Sequence, residues 1–201
     1  RHWKQQIATL ARWFRVVTFD GRGCGRSSRP AEPSAYTCDD YAADAEAVLD
    51  ASGTDRAVAV GLSFGAQFGV ALATRCPARV SGLVAIGPTL PAIAERPVER
   101  DVSFVEPLDR TDGWAKQNLH YWRRGPAEYR AFAEFFFAQM FCEPHSTKAI
   151  DDAVGWSQEI DPETLISVSL GVGGAPVDAA RIGAVGCPVL VIHGSYDPIS
   201  P

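Results

Sequence analysis

The stretch that constrains this chain most is Gly61-Leu62-Ser63-Phe64-Gly65, because it joins two segments whose patterns demand different secondary structures. Ala57 to Leu62 is a short apolar run of strand length, and Phe64 to about Arg75 is an apolar, small-residue run of helix length. A G-x-S-x-G motif at a strand-to-helix junction is a nucleophile elbow, a turn so tight that the serine adopts a strained backbone conformation. Strand and helix then approach so closely that a side chain at either flanking glycine is expected to collide, which gives Gly61 and Gly65 a steric task. The strain lifts the Ser63 hydroxyl above the carboxyl end of the strand. It also directs the backbone N–H of Phe64 at whatever binds Ser63, so one turn supplies a nucleophile and one oxyanion donor.

Around the elbow, apolar runs alternate between strand and helix lengths. Arg1 to Ala11 reads as the tail of a helix with Trp3, Ile7 and Leu10 on one face, and Phe14 to Phe19 as a β-branched and aromatic strand. The glycine-rich run Asp20 to Ser27 is not a dinucleotide-binding loop. Arg26 stands where the third glycine is required, and Pro30 and Pro33 follow where a helix should open. A helix is predicted from Thr37, its N-cap, to about Ala51, with Tyr41, Ala45, Val48 and Leu49 on one face and Gly53 ending it. Pro77 stops the elbow helix, Val80 to Ile86 makes another strand before Gly87-Pro88, and Pro188 to His193 makes a fourth. Near-continuously apolar strands alternating with helices imply a mostly parallel α/β sheet covered on both faces.

Between the last two strands lie roughly 95 residues, far more than one crossover helix needs. The expected organisation is therefore a core made of 1–91 and 187–201, with 92–186 as a helical lid insertion. Its predicted helices are 113–124, 127–141, 148–160 and 162–170, with Gly171 to Gly174 as a flexible return. The insertion holds six of the ten phenylalanines and three of the five tryptophans, which suits a lid over an apolar pocket. Taken singly, Phe132, Phe135, Phe136 and Phe137 read first as the packing that seats it on the main domain.

Composition narrows the function classes. At 201 residues with 46% hydrophobic residues, the chain can bury a sizeable core without metals or disulfides. A net charge of −5 argues against a nucleic-acid or anionic membrane surface, and no apolar run is long enough to span a bilayer. Cys24, Cys38, Cys76, Cys142 and Cys187 are odd in number and lack a C-x-x-C pair, so free thiols in a reducing cytoplasm are expected. No cofactor or metal is expected.

The chain resembles the α/β-hydrolase fold family, and more narrowly its bacterial, lid-bearing serine esterase-like members. Three stretches carry the resemblance: Asp20-x-Arg22-Gly23-x-Gly25-x-Ser27 after a strand, Gly61-x-Ser63-x-Gly65 at the elbow, and His193-Gly194-x-x-Asp197-x-x-x-Pro201 after the last strand. The resemblance implies Ser63 as nucleophile, Asp197 as the triad acid and Phe64 as an oxyanion donor, acting on an apolar ester or related acyl compound. It also implies aspartate in place of serine had the chemistry been haloalkane or epoxide opening.

The departures from that family are equally specific. In chain order its triad runs serine, acid, histidine, yet none of His2, His120, His145 and His193 lies beyond Asp197. The strands and oxyanion loop that precede the first helix in the family have no counterpart here either. The expectation is an internal fragment, inactive by itself, of a serine hydrolase whose first strands, last strand and base histidine lie elsewhere. The alternative expectation is a non-catalytic hydrolase-like module that senses a ligand or mediates an interaction. Oligomeric state is unspecified by the sequence.

Overall fold

The computed structural model describes residues 2–93 and 97–200. Its sheet has three parallel strands in the order β1 (Ala57–Leu62), β2 (Val80–Ile86), β3 (Val189–Ile192). The helices in chain order are α1 (Lys4–Leu10), α2 (Cys38–Ala51), α3 (Phe64–Arg75), α4 (Leu119–Trp122), α5 (Pro126–Met140), α6 (Thr147–Ser157), α7 (Pro162–Gly174) and α8 (Ala179–Gly183). Register pairs Leu62 with Ile86 and Ile86 with Ile192, so the three strands end level with one another. The ladder continues one step further through Ser63 N–H to Ile86 O (2.9 Å) and Gly87 N–H to Ile192 O (2.8 Å). Whatever follows each strand therefore emerges in one row.

Helix α3 seats the elbow because its small residues let it lie close to the sheet. Ala66, Val70, Ala71 and Ala73 are buried, and a Cβ built on Gly69 would sit 2.5 Å from Leu83 Cδ1. With Tyr36, Tyr41, Ala42, Val80 and Leu83, the α3 residues Val70, Ala71, Leu72 and Ala73 form the main core cluster, each large member contributing about 1.5–3 kcal/mol by burial. Helix α2 packs over α3, and Tyr41 stacks on Phe68 at 4.0 Å. The start of α2 is fixed by a capping box: Asp40 N–H donates to Thr37 Oγ1 (3.2 Å), and Thr37 N–H donates to Asp40 Oδ2 (3.1 Å). Gly53, at φ 59°, closes the helix in the left-handed conformation. Gln67 is buried in α3 but satisfied, since its Oε1 accepts from Val177 N–H at 3.1 Å.

The helices between β2 and β3 build a second cluster from Leu119, Trp122, Tyr129, Phe132 and Ile166. Trp122 is its centre, 4.5 Å from the Phe132 ring and 5.2 Å from the Phe104 ring, with its indole N–H donating to Lys116 O (2.8 Å). Helix α7 belongs to both clusters. Ile166 faces the second, Val172 the first, and Ser167 Oγ donates to Ala31 O at 2.8 Å.

Several expectations are corrected here. Phe14 to Phe19 forms no strand: Trp13 and Phe14 are 76% and 67% exposed, and Arg15 ties the segment to the end of α2 by donating to Ser52 O and Gly53 O. The β-rich pattern is present, but a strand exists only through its ladder, and among the described residues nothing pairs with this one. The apolar face of α1 forms without being buried. The helix expected over 113–124 is split by Asn118, whose side chain caps α4 by accepting from His120 and Tyr121 N–H while its amide donates to Ser103 O and Glu106 O. Gly171 to Gly174 is no loose return but the last turn of α7. A Cβ on Gly171 would lie 2.3 Å from Pro33 O and 2.7 Å from Tyr36 Cβ, so glycine there permits contact between the helix and the 33–36 turn. Helix α8, capped by Asp178, had no expectation behind it.

Candidate active site

Ser63 follows β1 directly and precedes α3, with φ 55° and ψ −117°. A non-glycine residue in this region costs about 1–3 kcal/mol, and the surrounding hydrogen bonds hold it there. Its N–H donates to Ile86 O, and its carbonyl accepts from Ala66 N–H (3.0 Å) and Thr89 N–H (3.3 Å). Serine is a favoured N-cap residue, yet the Ser63 side chain makes no capping bond to α3. The hydroxyl is left available on the carboxyl side of the sheet.

The two elbow glycines differ. A Cβ on Gly61 would lie 2.2 Å from Gly65 O, 2.3 Å from Gly65 C and 2.7 Å from Ala66 N, all main-chain atoms. A Cβ on Gly65 would meet nothing within 4 Å. The expected collision at both positions is thus corrected to one: the close approach is that of the Gly65 backbone to the Gly61 Cα. The Phe64 N–H opens α3, where the first N–H groups lack intrahelical acceptors and the helix presents its positive end. Together these features suit a developing negative charge beside Ser63.

Asp197 stands in the loop after β3. Its Oδ1 accepts from Ile199 N–H (2.8 Å) and Ser200 N–H (3.0 Å), a turn that fixes the carboxylate, while Oδ2 lies 3.8 Å from His193 Nε2. Arg100 braces this loop from the helical insertion: it donates to Ile199 O and to Gln117 Oε1 (3.3 Å), with its guanidinium 4.6 Å over the Trp114 ring. Ser63 and Asp197 are linked through two residues, Thr89 and Ser200, the latter by its N–H to Asp197 Oδ1. Ser63 Oγ and Thr89 Oγ1 are 3.2 Å apart, and Thr89 Oγ1 and Ser200 Oγ are 3.1 Å apart.

The histidines sit elsewhere. His2 packs edge-on against Trp156 at 5.5 Å, with burial lowering its pKa, and His120 Nε2 lies 3.0 Å from Val105 O. Exposed His145 takes φ 69°. Among the described residues no histidine hydrogen-bonds to the Ser63 hydroxyl, and no group of His, Cys, Asp and Glu is arranged to hold a metal ion. No helix among them is long and apolar enough to cross a membrane. Sequence reasoning missed Thr89, Ser200 and Arg100. For the first two the only available cue was position just past the ends of parallel strands, where ligands of open α/β sheets bind.

A serine held at positive φ between a parallel strand and a tightly packed helix defines a hydrolase-fold protein with a nucleophile elbow. The chain belongs to the alpha/beta hydrolase fold family, whose description matches residues 2–201. Two relatives carry the name "Putative carbamate hydrolase RutD". The one from Caulobacter segnis is 42% identical over 84 residues, covering 42% of this chain and 32% of that relative, less than two thirds of its length. The one from Variovorax paradoxus is 27% identical over 212 residues, covering 99% of this chain and 70% of that relative. Among solved structures, the esterase EaEST from Exiguobacterium antarcticum superposes with a TM-score of 0.77 at 17% identity, over 99% of this chain and 70% of its own; at that identity the likeness is one of fold.

Proposed function

We propose that these residues belong to a serine hydrolase acting on an ester or a related acyl compound such as a carbamate. The observation that carries the reading is the Ser63 backbone at φ 55°, a strained conformation that aims a hydroxyl out of the sheet instead of into the helix cap. Two relatives named as carbamate hydrolases support the acyl class. Ser63 Oγ attacks the carbonyl carbon as its proton passes to a histidine base, and Asp197 fixes that imidazole's tautomer and stabilises its charged form. The Phe64 N–H faces the oxyanion, worth about 3 kcal/mol of transition-state stabilisation for one such donor. The base is a histidine, and among the described residues none hydrogen-bonds to the Ser63 hydroxyl. Residues 92–186 act as a cap whose aromatic side chains face an apolar acyl group.

Fluorophosphonate labelling of the full-length gene product tests this. Stoichiometric phosphonylation at Ser63, abolished in Ser63→Ala, is the expected result. An unlabelled gene product refutes turnover at Ser63 and favours a binding module.

A further inference from the structure

The three parallel strands end in register, and the segment after each one brings a hydroxyl into a common row. Ser63 follows β1, Thr89 follows β2 after the Gly87-Pro88 break, and Ser200 lies in the loop after β3. They line up in strand order, Ser63 Oγ to Thr89 Oγ1 at 3.2 Å and Thr89 Oγ1 to Ser200 Oγ at 3.1 Å. Ser200 N–H in turn donates to Asp197 Oδ1 (3.0 Å), so the row ends on the carboxylate proposed as the triad acid.

Resting on the reading of Ser63 as nucleophile, we infer that Thr89 is a positioning residue, whose hydroxyl holds the Ser63 side chain in its reactive rotamer and couples it to the Asp197 loop. The fold does not need that hydroxyl. Thr89 is already anchored through its backbone N–H to Ser63 O, and valine would fill the same volume with the same branched shape. A hydroxyl has one hydrogen to give and two lone pairs to offer, which lets Thr89 donate to Ser63 Oγ while accepting from Ser200 Oγ–H. In that arrangement the Ser63 hydrogen is free for the base. When Ser63 Oγ bonds to the acyl carbon, the Ser63 proton leaves to the base and the Thr89 hydrogen stays on Thr89.

The test uses the full-length gene product and fluorophosphonate inactivation over a range of probe concentrations, which separates the limiting rate from the half-saturating concentration. Losing the hydrogen bond that holds the Ser63 hydroxyl in its attacking orientation is expected to lower the limiting rate about tenfold in Thr89→Val, with half-saturation within about twofold of wild type. Thr89→Ser should recover the rate to within about threefold, since it restores the donor without the methyl group. Ser200→Ala, which leaves Thr89 intact but removes its outer partner, should slow the reaction by about two- to fivefold. A Thr89→Val limiting rate within twofold of wild type, a Thr89→Ser variant as slow as Thr89→Val, or an unchanged Ser200→Ala would each overturn the inference. Absence of labelling in the wild type strikes the serine hydrolase reading instead, so the two failures are distinguishable.

Discussion

Replacing Gly61 by alanine should unseat the elbow, and replacing Gly65 should not. A Cβ at Gly61 would stand 2.2–2.7 Å from Gly65 O, Gly65 C and Ala66 N. Carbon contacts are comfortable near 3.5 Å, so the strand and the first turn of α3 must part by about 1 Å. The obstacle is main chain, which cannot rotate aside, and α3 is clamped one turn further on by Gly69 against Leu83. Overpacking of this kind costs about 1–3 kcal/mol, and the fixed backbone puts Gly61→Ala at the upper end. At about 2–4 °C per kcal/mol for a chain of this size, the melting temperature should fall by about 6–12 °C. Gly65→Ala places its methyl in open space on the first turn of a helix and gains up to about 1 kcal/mol from helix propensity. Thermal and urea melts of the two variants decide the matter. Equal losses in both, or a Gly61→Ala within 1 kcal/mol of wild type, would refute the close-approach argument.

Ser63→Gly should raise stability by about 1 kcal/mol while removing the labelled hydroxyl, because glycine accepts φ 55° without strain; a loss larger than that of Ser63→Ala would show that the turn is not strained. Acid should weaken one surface tie. Arg181 donates to both carboxylate oxygens of Asp39 (2.6 and 3.1 Å), and this hydrogen bonding holds the Asp39 carboxyl below its ordinary pKa against an opposing desolvation effect. A carboxyl lowered on folding contributes stability above its unfolded pKa of about 3.9 and loses it as pH falls through the folded value. Asp39 is 60% exposed, so Asp39→Asn should be less stable than wild type by no more than about 1 kcal/mol at pH 7, with the gap closing below about pH 4 in urea melts. A gap that widens in acid contradicts the assignment.

Local signals were readable wherever one turn of chain determines the outcome. The Thr37 cap, the Gly53 stop, the Pro77 break and the Ser63 elbow each depend on residues within a few positions of one another, and each stands where the pattern puts it. Features that depend on distant partners were not readable. Phe14 to Phe19 has strand composition but no paired neighbour among the described residues, and propensity without a ladder leaves it as largely exposed irregular chain. Gly171 to Gly174 has linker composition, yet the 33–36 turn, some 135 residues earlier, presses against Gly171 and makes glycine a packing requirement at that one position inside a helix. The candidate site divides in the same way. Ser63 and Phe64 follow from a five-residue motif, whereas the Thr89 bridge and the Arg100 brace depend on three strands ending level and on a loop folding back from the insertion.

Helix α7 also limits how the insertion can move. To swing it clear of the sheet, Val172 would have to leave the main core, worth about 1.5–3 kcal/mol, and Ser167 would have to release Ala31 O, worth about 1 kcal/mol more. An opening that costs about 2.5–4 kcal/mol is populated at about one or two parts in a hundred at most. The helix therefore behaves as a strut, and a rigid-body swing about the glycines of its last turn is a rare event.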